Sequence, residues 1–422
     1  MSSTQDSMIE LQKYSKIDNN PFKHAFVTHS DKRDKMVTYG ALALIIGIFA
    51  ISLQVCYTVV DPQEFNMNLF EKDVNTDHMK AYLEFIAKYG KTHASRQDTA
   101  NRYKVFKSNY EMITRHNLNR DMLPFEMEVN YYADLTVDEF LNHHRLRVPK
   151  HLLAESVEID KRIYSKGHNE PIVRFENKDS SLPLVKNWFE EGAVTAPYDQ
   201  HRCGSCWAFT TAATLESLAV ISGKFKTPEE FSVQQLVDCD NTNDGCNGGW
   251  MYKGYTYTSK FGIMSKNSYP YIGQQSECKF DQEQTIFKNV GMIQEKNLSN
   301  EKLKARVAQQ PVGVGMMSNE NLRFYKKGVM TEEFLQCSNP ETAVNHGVAI
   351  IGYGKVEKGE PATSWCKDYW IVRNTWGTQW GDDGFFKLCM DGTGTKEQPF
   401  GICQVNRFPT YPVMEEPKVQ TE

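Results

Sequence analysis

The stretch "DQHRCGSCWAFTT", residues 199–211, sets two cysteines three positions apart and follows them with Trp207, Ala208 and the start of an apolar helical pattern. Taken alone it fits a redox C-x-x-C pair, half of a zinc site, or a half-cystine beside a nucleophile. A redox pair calls for a surrounding βαβ pattern, and none is present. A structural zinc site needs a Cys/His quartet with consistent ligand spacing, and the chain has none. Neither a metal nor a cofactor is expected.

The compartment decides what the other cysteines do. The stretch "MVTYGALALIIGIFAISLQVCYTVV", residues 36–60, carries no ionisable side chain except Tyr and Cys, and it is long enough to cross a bilayer core as a helix. The 35 residues that precede it are mostly polar, which argues for a transmembrane span over a cleaved signal peptide. Lys32, Arg33 and Lys35 flank it on one side and Asp61, Glu64 and Glu71 on the other, placing the tail 1–35 in the cytosol and everything after 60 in a lumenal or extracellular space. Disulfides are permitted there. Of the ten cysteines, Cys56 lies in the span; nine remain, an odd number that leaves at least one thiol. The sequon "NLS" makes Asn297 a glycosylation candidate. A net charge of −5, with no long basic run, argues against nucleic acid as a partner.

Residues 78–117 read as helix, with apolar positions at Tyr82, Phe85, Ile86 and Tyr89 and a second run after "GKTHASRQD". Asp98, Arg102, Phe106, Asn109, Ile113 and Asn117 are spaced by 4, 4, 3, 4 and 4, which puts them on one helix face. From Glu155 to Ser181 the chain is polar and reads as a linker. Helical periodicity begins near Cys206, whereas the sequence after Val312 turns to short strand-like runs: "VGVGMM", "HGVAIIGYG", "YWIVRN", "GFFKL". This is an α+β pattern whose halves could enclose a cleft.

A nucleophilic cysteine needs a lowered thiol pKa, a base held by a third group, and donors for the developing oxyanion. Cys206 begins a predicted helix, where the dipole favours a thiolate. His346 in "VNHGVAIIGYG" and Asn374 in "YWIVRNTWGTQWG" each lie next to a strand and a turn, and Gln200 could supply an amide donor. This arrangement resembles the papain family of cysteine proteases, specifically its cathepsin L-like branch, from about residue 78 to about 413. The segments that carry the resemblance are "CGSCWAF", "NHGVAIIGYG", "RNTWGTQWG" and "GCNGGW". The helix face at 98–117 and "EVNYYAD" from Glu128 are similar to the two signatures of the family's inhibitory propeptide, with Asp98 in place of the usual Glu.

The resemblance implies a papain-like two-lobe fold, a helical lobe and a β-barrel-like lobe with the cleft between them. A helical inhibitory prodomain and one transmembrane helix would precede it. The expected organisation is a tail at 1–35, a span at 36–60, a propeptide at 61–181 and a monomeric peptidase domain at 182–422. It implies Cys206 as nucleophile, His346 as its partner, Asn374 holding the ring, Trp376 shielding that bond, and Gln200 with the Cys206 N–H as oxyanion hole. It further implies the bridges Cys203–Cys246 and Cys239–Cys278. Cys366 and Cys389 flank two strands joined through a turn, which suggests a bridge between them and a second one from Cys337 to Cys403.

Substrate protein or peptide would run along Gly248 and Gly249, with Trp250, Met251 and Gly315 lining an apolar pocket suited to Leu or Phe. The floor of that pocket is Val405, or Phe408 after a shift of three. Two departures stand out: His201 replaces a usual Gly, and Phe400 stands where the family's last cysteine is expected, with Cys403 three residues on. Asp98 and Asp134, paired with cations such as Arg102, would make propeptide release acid-sensitive. The long arm with its span resembles membrane-anchored precursors of protozoan parasite proteases, falcipain-like enzymes among them. The mature enzyme would act in a lysosome, food vacuole or similar acidic lumen, or be secreted. A catalytically inactive homologue that only binds is the alternative.

Overall fold

The computed structural model describes residues 76–141, 182–339 and 344–414. The tail 1–35, the candidate span 36–60 and the linker 155–181 lie outside these residues. Among the described residues, no helix is long and apolar enough to cross a membrane.

The N-terminal segment opens with α1 (Thr76–Tyr89) and α2 (Arg96–Asn117), so the helical stretch breaks into two pieces. Ser95 starts α2 by accepting from the Asp98 N–H, while Asp98 accepts from the Ala94 N–H. This reciprocal capping explains how Asp can stand at that position. On the six-residue face Phe106, Asn109 and Ile113 are buried, and the polar members grip the chain that follows. Asn109 Nδ2 donates to the carbonyls of Ala133 and Leu135, and Asn117 both donates to and accepts from the Met127 backbone. The strand β1 (Phe125–Met127) and the short α3 (Val137–Leu141) complete this segment.

After β2 (Lys186–Asn187) come α4 (Cys206–Ile221), α5 (Val233–Cys239), α6 (Met251–Phe261) and the β3–β4 pair (Ile263–Met264, Thr285–Phe287). Helix α4 is buried on every side from Cys206 to Ala219, the mark of a central helix rather than an amphipathic surface one. Thr211, Thr214 and Ser217 on it satisfy their hydroxyls on carbonyls one turn back, which lets polar side chains sit in an apolar core.

The remaining strands are β5 (Gly291–Gln294), β6 (Val312–Met316), β7 (Tyr325–Met330), β8 (His346–Lys355), β9 (Asp368–Arg373), β10 (Phe385–Cys389) and β11 (Thr410–Val413), with helices α7 (Asn300–Val307) and α8 (Glu332–Leu335) between them. The ladder runs as an open path, β1–β7–β10–β9–β8–β6–β11–β5, with β2 on β8. The sheet has its own core around Val314, Ile350, Trp370 and Phe386, distinct from the core around α4. Two lobes follow, joined where α4 packs against β8.

The N-terminal segment docks on the sheet lobe. Strand β1 pairs antiparallel with β7, Phe125 opposite Gly328 and Glu126 opposite Lys327, and Lys326 holds Glu128 at 2.6 Å. The rings of Tyr132 and Phe140 stand edge-on to Trp376 at 5.9 and 5.3 Å.

Asp98 and Asp134 each pair with a cation as expected, and Arg102 gains a further partner in Glu139. Arg102 makes a two-pronged bond to Glu139, at 2.7 and 2.8 Å, and lies 3.7 Å from Asp98. Asp134 binds Lys91 at 2.9 Å and offers Arg102 only its backbone carbonyl. The planar fork of Arg102 matches the Glu139 carboxylate, whose distance along the chain hid the pairing. Arg102 holds the Glu139 carboxyl down at about 2. Its stabilisation is therefore complete above about 4.5 and fades only as pH falls from there towards 2.

Two imidazoles respond earlier. Burial lowers the pKa of His93, whose Nε2 bonds with the Tyr82 hydroxyl, and of His116, which sits 4.4 Å from the Phe125 ring. A lowered folded pKa favours the neutral ring, so this stabilisation is full above about 6.5 and is lost as pH falls below it. In a Cys206→Ala chain, adding His93→Gln and His116→Gln should flatten the fall in melting temperature between pH 6.5 and about 5. An unchanged slope in that melting series would show that these rings do not carry the acid response.

Candidate active site

Cys206 is the first residue of α4, at the positive end of the helix dipole. Among the nine described cysteines, the other eight pair as Cys203–Cys246, Cys239–Cys278, Cys337–Cys403 and Cys366–Cys389, with Cα separations of 4.6, 4.9, 4.5 and 5.8 Å. Cys206 remains a thiol, and it is fully buried. The one compact His/Cys/Asp/Glu cluster among the described residues, Cys366, Cys389 and Asp391, has both sulfurs in a disulfide and is no metal centre.

His346 opens β8, opposite Met316 of β6. Its Nε2 lies 2.8 Å from Asn374 Oδ1, an oxygen that also accepts from the Thr375 N–H at 2.8 Å. An amide oxygen can only accept, so the ring carries its hydrogen on Nε2 and turns Nδ1 the other way. Trp376 stacks on the imidazole with ring centres 5.0 Å apart and keeps water from the bond. Burial pulls the His346 pKa down to about 4, against the opposing pull of the Asn374 bond.

Gln200 is buried beside this pair. Its side-chain Nε2 donates to the Cys203 carbonyl at 3.0 Å, its Oε1 accepts from the Thr375 hydroxyl, and its backbone pairs with Thr375. Tyr271 ties the loop down by bonding both the Gln200 carbonyl and the Ser205 hydroxyl. Thr375 and Tyr271 are positioning residues that the sequence analysis missed. Thr375 was within reach, inside "RNTWG", while nothing local marks Tyr271.

His201 stands at φ 52°, so the left-handed backbone expected of a glycine is kept by a non-glycine at a cost of about 1 kcal/mol. Its N–H donates to Asp199 Oδ1 and its Nδ1 lies 3.3 Å from Asp199 Oδ2, with the side chain exposed. Cys403 and Gln404 are also left-handed, at φ 47° and 65°. That reversal brings Cys403 to Cys337, while Phe400 lies under the Arg407 guanidinium at 4.6 Å.

Along the cleft wall, Gly248 stands at φ 114°. A Cβ on Gly249 would come within 2.7 Å of the Asn243 side chain and of Trp207 Cδ2. The glycine therefore lets the wall lie against the tryptophan that follows Cys206. Trp250 and Met251 are fully buried in the helical-lobe core together with Phe408, whose ring meets Trp250 edge-on at 5.8 Å. Val405 belongs instead to the sheet core. Of the two candidates for the pocket floor, Phe408 is thus the one packed with Trp250 and Met251. Val344, two residues before His346, joins the same cluster as Met251. Gly315 is buried in β6, opposite Gly347. Asn297 is exposed in a loop at φ 55°.

A thiol at a helix N-terminus, an imidazole held by an amide, and a docked segment covering the tryptophan beside that imidazole define the latent form of a papain-like thiol protease. The profile described as papain family cysteine protease matches residues 182–413, and that of the cathepsin propeptide inhibitor domain matches 82–140. The chain is 33% identical to ananain of Ananas comosus, over 80% of this chain and 88% of that protein. It is likewise 33% identical to a pro-cathepsin H of Medicago truncatula, over 80% and 87%. Among solved structures, the proform of the ragweed pollen allergen Amb a 11 superposes with a TM-score of 0.67 at 31% identity, covering 82% of this chain and 97% of that one. The chain belongs to the papain family of cysteine proteases. It is a cysteine peptidase zymogen that carries its own propeptide inhibitor.

Two changes test the packing beneath the site. Removing the Cys203–Cys246 bridge with paired serines should cost about 2–5 kcal/mol in denaturant unfolding. Gly249→Ala should cost about 1–3 kcal/mol through the clash with Trp207, and wild-type stability for Gly249→Ala would show that the wall can move.

Proposed function

We propose that this chain is the precursor of an endopeptidase whose Cys206 thiolate attacks the scissile carbonyl. The observation that carries the reading is the His346–Asn374 bond, which orients the ring and fixes its tautomer at the start of a strand that packs against α4, the helix that begins at Cys206. His346, as imidazolium, would give its proton to the leaving amine, and then as base would activate the water that hydrolyses the thioester. Gln200 Nε2 and the Cys206 N–H would stabilise the oxyanion, with Thr375 holding the Gln200 amide. Within the latent form burial favours the neutral imidazole; uncovering the site would rehydrate it and favour the ion pair.

An extended peptide would bond to the backbone of Gly248 and Gly249 in the manner of an added strand. Trp250, Met251, Gly315, Val344 and Phe408 would accept Leu or Phe as the second residue before the scissile bond. Before processing, the precursor would be held in a membrane by residues 36–60 with its catalytic part in an acidic lumen. Exposed Asn297 would carry a glycan. The soluble enzyme would begin near Leu182, without the anchor.

Cys206→Ala should abolish peptidase activity and labelling by a thiol-directed probe while leaving the fold intact, and the variant precursor should stay full length at acidic pH unless active enzyme is added. Retained cleavage by this variant would overturn the assignment, and a wild-type protein that folds but takes no probe would favour the inactive binding homologue. Gln200→Ala should lower turnover roughly 10²-fold.

A further inference from the structure

Arg323 lies just before β7 beneath the docked propeptide, and it is 2% exposed. Its Nη1 donates to the Leu135 carbonyl at 2.9 Å and its Nη2 to Asn109 Oδ1 at 3.0 Å, both groups of the propeptide. Its Nε is buried with no hydrogen-bond partner among the described residues, and no carboxylate among them lies within ion-pair distance. Burial lowers its pKa to about 10, with Glu320 acting on it only through its field. The neighbouring cations fare differently: the propeptide brings Glu128 to Lys326 and Glu126 to Lys327. Arg323 alone among these three is covered by neutral acceptors.

Its position relates this cation to the chemistry. The Arg323 carbonyl accepts from Trp380 Nε1 at 2.9 Å, Trp380 packs on Trp376 at 4.7 Å, and Trp376 stacks on His346. The guanidinium itself lies 5.7 Å from the Phe140 ring, which covers Trp376 in the latent form. His346 protonates the leaving amine, so its side of the cleft receives the residues after the scissile bond, opposite the Gly248–Gly249 wall. When the propeptide departs, Leu135 and Asn109 leave with it and Phe140 uncovers Trp376. A guanidinium fork anchored at its backbone then faces the leaving-group side with its donors exposed.

We propose that Arg323 is a specificity-determining residue that selects a carboxylate, Asp or Glu, within the first two residues after the scissile bond. The proposal rests on the peptidase reading above. A charge-assisted, two-pronged bond beside an apolar tryptophan wall should discriminate Glu from its isostere Gln, because Gln offers the fork no negative charge.

The test uses the acid-activated full-length precursor and internally quenched peptides that differ only by Glu or Gln at the first or second position after the cleaved bond. The expected result is a kcat/KM at least about tenfold higher for Glu at one of these positions, with the preference shrinking as salt rises. In Arg323→Gln the Glu/Gln ratio should fall to near one, and in Arg323→Glu a Lys peptide should overtake the Glu peptide. Equal rates for the Glu and Gln peptides with the wild-type enzyme would overturn the proposal, even if neither variant folds. Cleavage of an aminomethylcoumarin peptide, which has no residue after the scissile bond, keeps the two readings separable. If that substrate turns over while Glu and Gln peptides are equal, only the role of Arg323 fails. If nothing is cleaved, the peptidase reading itself has failed.

Discussion

The seam between α4 and β8 is the constraint on which the rest of the structure depends. One lobe contributes a helix buried on all sides whose first residue is Cys206. The other contributes a strand whose first residue is His346. His346 is held within its own lobe by Asn374 and Trp376 while Cys206 comes from the other, so their relation depends on both cores being intact. The segment around Gln200 and the turn after β9 brace this seam, tied to each other through Thr375 and to His346 through Asn374. Such a rigid frame suits a reaction whose barrier is lowered by donors already in place.

Latency uses the same frame from outside. The propeptide adds a strand to the edge of β7, supplies carboxylates to Lys326 and Lys327, and lays Tyr132 and Phe140 on Trp376. Its own fold is held by Arg102–Glu139 and Lys91–Asp134. Because the Glu139 carboxyl is held near 2, mild acid leaves that clamp intact. The half-buried imidazoles of His93 and His116, which favour the neutral form, weaken the fold at higher pH than the carboxylate does. Acid sensitivity thus has two stages with different groups behind each.

The same interface carries a mismatch. Most of its charges meet opposite charges, whereas Arg323 meets a carbonyl and an amide oxygen. A buried guanidinium met only by neutral acceptors is less fully compensated than the Lys326 and Lys327 pairs beside it.

Much of this was legible in the sequence because the relevant signals are local. The α2 face follows from a spacing of three and four, the central helix from the apolar run after Cys206, and the family from motifs that keep their residues in order. The parity of the cysteines pointed to one remaining thiol. What resisted reading depends on contacts between segments far apart in the chain. Glu139 rather than Asp134 takes Arg102 because α3 folds back onto α2, and no periodicity records that turn. Phe408 rather than Val405 packs with Trp250, after a stretch in which Cys403 and Gln404 adopt left-handed backbone. Tyr271 and Arg323 belong to no motif, and their roles come wholly from what surrounds them. The sequence by itself determined which chemistry the chain carries, since nucleophile, imidazole and amide sit in recognisable local strings. Only the tertiary structure decided which charges pair and which stay uncompensated, because electrostatic and packing energies depend on distance in space, not along the chain.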